Sequence, residues 1–280
     1  MSSPAADLLT ETAHAKLNLA LHVRRRREDG YHDLETLFAF VDAGDELTVQ
    51  PAEAFSLTIT GPFAEGLSCG EDNLVLRAAR LLAARNGITT GAAFTLDKRL
   101  PVAAGIGGGS ADAAAALRLC ARLWGLGREA VRPSDVAAEL GADVPACIAS
   151  ATVYGEGVGE QLRAIDGSAL AGLPVLLVNP RVACLTGPVF KAWDGVDRGP
   201  LDPADWLDAR NDLEAPAIAL HPVIAQVLSA LRAQKPRLAR MSGSGATCFA
   251  LFDSATARDV AARALAGAHP AWWQMAGALR

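Results

Sequence analysis

Gly107, Gly108 and Gly109 stand directly ahead of Ser110 and an alanine-rich run, and that spacing points to phosphate chemistry. Glycine bares backbone N–H groups, and at the positive end of a helix dipole an anion meets no obstructing Cβ. The loop is not a Walker A motif, because no Gly-Lys-Ser/Thr follows. Nor is it a dinucleotide fingerprint, since Ser110 takes the third glycine position. Glycines this dense also permit tight helix packing, which is the competing reading. On the phosphate reading, a side chain at Gly108 projects toward the anion.

Lys16 and Asn18 lie on the polar side of a strand that alternates from Ala13 to Val23. Ala15, Leu17, Leu19, Leu21 and Val23 point one way, while His14, Lys16, Asn18 and His22 point the other. Taken alone, strand lysines more often line a solvated sheet face. Asp143, in Gly141-Ala-Asp-Val-Pro145, sits in a loop that ends a helix beginning at Ser134, and a lone loop Asp is usually a cap or turn residue. The basic run Arg24–Arg27 reads as a solvated hairpin tip. His14 and His22 are too far apart to chelate, and no His-x-x-x-His occurs. Met241 and the Trp272-Trp273 pair read as packing residues.

These residues need elements to position them. Asp29-Gly30 signals a turn, with strands expected at Leu34 to Val41, Glu46 to Gln50 and Phe55 to Thr60. The opening sheet is therefore expected to be mostly antiparallel. Asp72-Asn73 starts a helix over Leu74–Arg85 that stops at Asn86-Gly87. After a strand from Ala92 to Asp97, Ser110 is expected to cap a helix reaching about Trp124. Ala151–Tyr154 reads as a strand, and Leu173 to Val178 as a buried strand opening a second domain. A boundary near Gly155–Gly159 gives domains over 1–157 and 158–280. Pro222–Ala233 and Ala255–Ala266 are helical, and Thr247 to Phe252 is a strand after a second glycine turn, Ser242-Gly-Ser-Gly245. Strands and helices mixed without regular alternation indicate an α+β class.

Of 280 residues, 51% are hydrophobic and 20% charged, which excludes a disordered chain. A net charge of -5 argues against nucleic-acid binding. No stretch approaches the ~18 continuous apolar residues of a membrane span. Met1 to His14 carries Asp7 and Glu11 and lacks the order of an export signal. Five scattered cysteines without a Cys-x-x-Cys pair argue against a disulfide framework or zinc site, and for a cytoplasmic protein. The expected partner is a small molecule rather than a nucleic acid or a membrane, for a monomer or weak homodimer.

Pro101-Val-Ala-Ala-Gly-Ile-Gly-Gly-Gly-Ser-Ala111 resembles the central phosphate loop of the GHMP kinase superfamily, with Ile106 in place of leucine. Ser242-Gly-Ser-Gly-Ala-Thr247 resembles that superfamily's late glycine motif. Ala15-Lys-Leu-Asn18, Asp29-Gly-Tyr-His32, Glu71-Asp-Asn73, Asp97-Lys-Arg-Leu-Pro101 and Gly141-Ala-Asp-Val-Pro145 narrow the likeness to the branch of 4-diphosphocytidyl-2-C-methyl-D-erythritol kinases. These motifs run in the family's order from about residue 13 to 252.

The resemblance implies a two-domain α+β kinase with its active site in the interdomain cleft and a role in non-mevalonate isoprenoid synthesis. It implies Lys16 and Asp143 as the catalytic pair, with ATP and Mg²⁺ as cofactors. ATP would meet Asn73, Lys98 and the loop residues Pro101, Val102, Ala103, Ala104, Gly105, Ile106, Gly107, Gly108, Gly109, Ser110 and Ala111. Ser110 would supply a hydroxyl near the phosphates or the metal. The acceptor would meet Asn18, Tyr31, His32 and Phe190, together with Ser242, Gly243, Ser244 and Gly245. Tyr31 and Phe190 would stack on cytosine while His32 bonds its edge. Ala183-Cys184-Leu185 departs from the family's small hydroxyl residues.

Overall fold

A computed structural model describes residues 8–132 and 139–280; the expected helix start at Ser134 lies outside them. The chain forms two compact units, each discontinuous in sequence. The first takes in the described residues up to His14, then Gly44–Leu100 and Gly108–Ala149; the second holds Ala15–Ala43, Pro101–Gly107 and Ser150–Arg280. Strands β1 (Leu9–Arg26) and β2 (His32–Ala52) contribute to both.

In the first unit, the later part of β2 pairs antiparallel with β4 (Gly91–Asp97), from Glu46↔Asp97 to Ala52↔Gly91. Strand β3 (Ser56–Thr60) joins β4 in parallel. Helix α1 (Leu74–Arg85) starts where expected: the Asn73 side chain accepts the Val75 N–H and satisfies an orphan donor of the first turn. Helix α2 (Gly108–Leu123) packs on α1, and many of its buried residues, Ala111, Ala113–Ala116 and Cys120 among them, are small. It starts at Gly108, so Ser110 lies within its first turn instead of capping it. The short helix α3 (Val144–Ala149) follows Asp143.

In the second unit, β2 pairs antiparallel with β5 (Val153–Gly157), which pairs with β6 (Gln161–Ala164). A separate antiparallel sheet runs in the order β10-β7-β9-β8, formed by Trp273–Ala278, Pro174–Asn179, Cys248–Leu251 and Leu238–Met241. Helices α4 (Thr186–Lys191), α5 (Glu214–Leu220), α6 (Val223–Ala233) and α7 (Ala255–Ala268) complete it. Leu176 and Val178 of β7 share one buried core with Ile224, Val227, Leu228 and Leu231 of α6 and with Ala261 and Leu265 of α7. Met241 is fully buried and Trp272 packs on this core, as expected.

The strands expected at Leu34–Val41 and Glu46–Gln50 are one strand. The polar interruption between them does not break it because Asp45 is itself buried against dedicated partners.

Candidate active site

The glycine loop and the late glycine turn meet backbone to backbone. Gly105 has φ +74°, and a Cβ there would come within 2.4 Å of the Ser242 carbonyl oxygen and 2.8 Å of the Gly245 nitrogen. Only glycine fits so close an approach. The Ser242 hydroxyl donates to the Gly105 carbonyl at 2.9 Å and accepts the Asn18 N–H at 3.1 Å. Thr247 N–H donates to the Ala104 carbonyl at 3.1 Å. Pro101, Ala104 and Ile106 are buried while Val102 is exposed, and Ala103 adopts a left-handed φ of 50°.

Lys16 N–H donates to the Ile106 carbonyl at 3.0 Å, and the Lys16 ammonium lies 4.8 Å from the centroid of the Phe38 ring, a cation–π distance. Lys16 and Asn18 are 4% and 3% exposed, so this strand face is not solvated. The Asn18 amide donates to the Thr36 hydroxyl at 2.7 Å, while its oxygen is buried without a partner. A Cβ on Gly243 would lie 3.2 Å from that oxygen. Buried acceptors are normally satisfied, so an unmet one beside a glycine turn suits a ligand's donor.

In the same unit, Tyr31 ends the hairpin turn: its N–H binds the Asp29 carboxylate at 3.0 Å and its carbonyl accepts the Arg27 N–H. The Tyr31 side chain is 62% exposed. Buried His32 stands 5.0 Å from Phe190 and meets Trp193 edge-on at 5.7 Å. Burial, and then the Arg26 charge, hold His32 below the usual imidazole range. The Cys184 thiol donates to the Ser244 carbonyl at 3.1 Å, and the Thr186 and Ser244 hydroxyls are 3.1 Å apart.

The first unit carries the remaining expected residues. Gly108, Gly109, Ser110 and Ala111 open α2, and Asn73 caps α1. Asp143 is half-buried, and its carbonyl accepts the Cys147 N–H at 3.1 Å. Lys98 is buried, its ammonium 2.5 Å from Asp45 and 2.6 Å from Asp112. A Cβ at Gly108 would meet that ammonium at 3.1 Å and an Asp45 carboxylate oxygen at 3.8 Å, so the position borders this charge cluster. Burial disfavours the Lys98 charge, but the two carboxylates outweigh it and raise its pKa. Asp45 also accepts the Arg99 and Leu100 N–H groups. Asp112 has only Lys98 and one partnerless oxygen; burial pushes its pKa up to about 7, with Lys98 opposing and Asp45 reinforcing.

Thus Lys16, Asn18, the loop from Pro101 to Gly107 and the turn from Ser242 to Gly245 cluster in one unit, where His32 also meets Phe190. Sequence reasoning missed Asp45, Asp112, Arg26 and Trp193. One signal was present: Asp112 is a lone acid among alanines on the buried stripe of α2.

Residues 73–151 match the family described as GHMP kinases N terminal domain, and 200–270 match GHMP kinases C terminal. The 4-diphosphocytidyl-2-C-methyl-D-erythritol kinase of Rhizorhabdus wittichii is 60% identical, covering 97% of this chain and 94% of its own. That of Sphingopyxis alaskensis is 57% identical over 97% and 99%. A crystal structure of 4-(cytidine 5'-diphospho)-2C-methyl-D-erythritol kinase superposes with a TM-score of 0.83 at 35% identity, covering 97% of this chain and 99% of that one. Homoserine kinase from Cytophaga hutchinsonii, 17% identical, shares the fold with a TM-score of 0.73 over 100% and 96%. At such identity across nearly the whole of both chains, this chain belongs to the 4-diphosphocytidyl-2-C-methyl-D-erythritol kinase family of the GHMP kinases and is a kinase.

Proposed function

We propose that the protein transfers the γ-phosphoryl group of ATP to the 2-hydroxyl of 4-diphosphocytidyl-2-C-methyl-D-erythritol, within non-mevalonate isoprenoid synthesis. The observation that carries this reading is the pairing of His32 with Phe190 at 5.0 Å, beside the exposed Tyr31. Aromatic faces and one polar ring edge are what a nucleobase needs, and the relatives named above carry a cytidylyl group in their substrate's name.

In the reaction, the acceptor oxygen bonds to the γ-phosphorus, the bridge to the β-phosphate breaks, and ADP leaves. Asp143 takes the hydroxyl proton as general base. Lys16 supplies positive charge near the incoming oxygen. Asn73, Lys98 and the glycine loop hold ATP, the loop's N–H groups facing the phosphates; most of the acceleration is positioning and charge stabilisation. Mg²⁺, when bound, neutralises phosphate charge. Among the described residues no group of three carboxylate, His or Cys side chains is gathered for a bare ion; Ser110 would be the hydroxyl near a nucleotide-bound metal. Asn18, with its unmet buried oxygen, and the turn from Ser242 to Gly245 receive the acceptor's polyol.

Phosphorus NMR of the product tests this. A new phosphomonoester coupled to C2 of the methylerythritol unit is expected; phosphorylation at another hydroxyl, or none, overturns it.

A further inference from the structure

His32 has two ring nitrogens, and the structure gives them different work. The Arg26 guanidinium donates from Nε to His32 Nε2 at 3.3 Å. Arginine has only donors and does not lose its charge. Nε2 is therefore the lone-pair nitrogen, and the ring proton of neutral His32 sits on Nδ1. Arg26 also reaches the Lys191 carbonyl at 3.4 Å, so one side chain ties the end of β1 to the last residue of α4, next to Phe190. Phe190 and Trp193 restrain the imidazole on two sides. Among the described residues, nothing hydrogen-bonds Nδ1.

We propose that Arg26 is a positioning residue that holds His32 as the Nδ1–H tautomer and thereby makes the pocket select cytosine over uracil. This rests on His32 being the base-reading residue of the proposed function. An Nδ1–H group is purely a donor. The N3 atom of cytosine is an acceptor and can receive it. Uracil carries a hydrogen on N3 and would set donor against donor there. A site that commits a buried polar group in this way rejects the mismatched analogue, because the mismatch leaves that group unpaired. The Arg26 charge acts in the same sense, since with burial it disfavours the imidazolium form.

Long-range proton–nitrogen spectra of His32, with CMP and UMP as probes, test the assignment alongside KM for cytidylyl and uridylyl substrates. In the wild type, Nε2 is expected unprotonated, with CMP shifting the Nδ1 signal and UMP barely moving it. Arg26→Met removes the donor at an exposed position and is expected to mix the tautomers and cut the cytidine preference about tenfold or more. Arg26→Lys keeps a cationic donor and is expected to restore both. An Arg26→Met protein with an unchanged spectrum and preference overturns the role of Arg26 while the base-reading role of His32 stands. His32 signals that ignore CMP in the wild type overturn both.

Discussion

The Cβ that Gly107 lacks would sit 3.1 Å from Cβ and 3.2 Å from Cε of Lys16, so the lysine stem lies directly across bare backbone. Gly107 also has φ +64°, a region side chains rarely adopt. The loop's shape and the lysine's course are thus one feature.

A Gly107→Ala variant must displace a flexible stem and strain its own backbone, at a cost of ~1–3 kcal/mol. Gly105→Ala must displace backbone atoms of Ser242 and Gly245 and is expected to cost more. Urea unfolding with turnover checks this. Gly107→Ala is expected to lose much activity for a small loss of stability, and Gly105→Ala to lose both; equal stabilities would contradict the packing described.

The buried trio around Lys98 makes a pH-dependent prediction. Asp112 titrates near 7 in the folded chain against an ordinary 3.8. The native state therefore holds this proton more tightly than the unfolded chain, and its stability contribution falls as pH rises from about 4 to about 7. Asp112→Asn is expected to flatten that slope, read from denaturant midpoints across the range. Lys98→Met leaves two buried carboxylates unpaired and is expected to cost ~3–5 kcal/mol, more at pH 8 than at pH 5. A loss independent of pH would count against the trio.

How far the sequence reveals this depends on the range of the interaction. Helix α1 was legible to the residue because its start is a local event: Asn73 caps its own helix. The face of β1 bearing Lys16 and Asn18 was not, since alternation separates two faces without saying which is solvated. The 3% exposure of Asn18 depends on Thr36 and Ser242, far along the chain. Asp45, Lys98 and Asp112 come from three separate segments, so no spacing announces them. Ser110 looked like a cap because serine usually is one, but the glycines before it already adopt the helix.

Tyr31→Ala tests the nucleobase site without endangering the fold, because the side chain is 62% exposed. Base–aromatic stacking is worth ~1–3 kcal/mol. KM for the cytidylyl substrate is expected to rise well above tenfold while KM for ATP stays within a few-fold. A parallel rise in both, or no change, assigns Tyr31 a structural role.

Asp143→Asn keeps the shape of the side chain and removes the base. Turnover is expected to fall ~10²–10⁴-fold, with ATP affinity by calorimetry little changed. Near-normal turnover would remove Asp143 from the mechanism.

The central claim is the identity of the acceptor, and a coupled ADP-release assay tests it most directly. Purified protein is given ATP and Mg²⁺ with 4-diphosphocytidyl-2-C-methyl-D-erythritol, mevalonate or homoserine in parallel. Turnover with the cytidylyl compound alone is the expected result; comparable or faster turnover with either of the others would contradict the account.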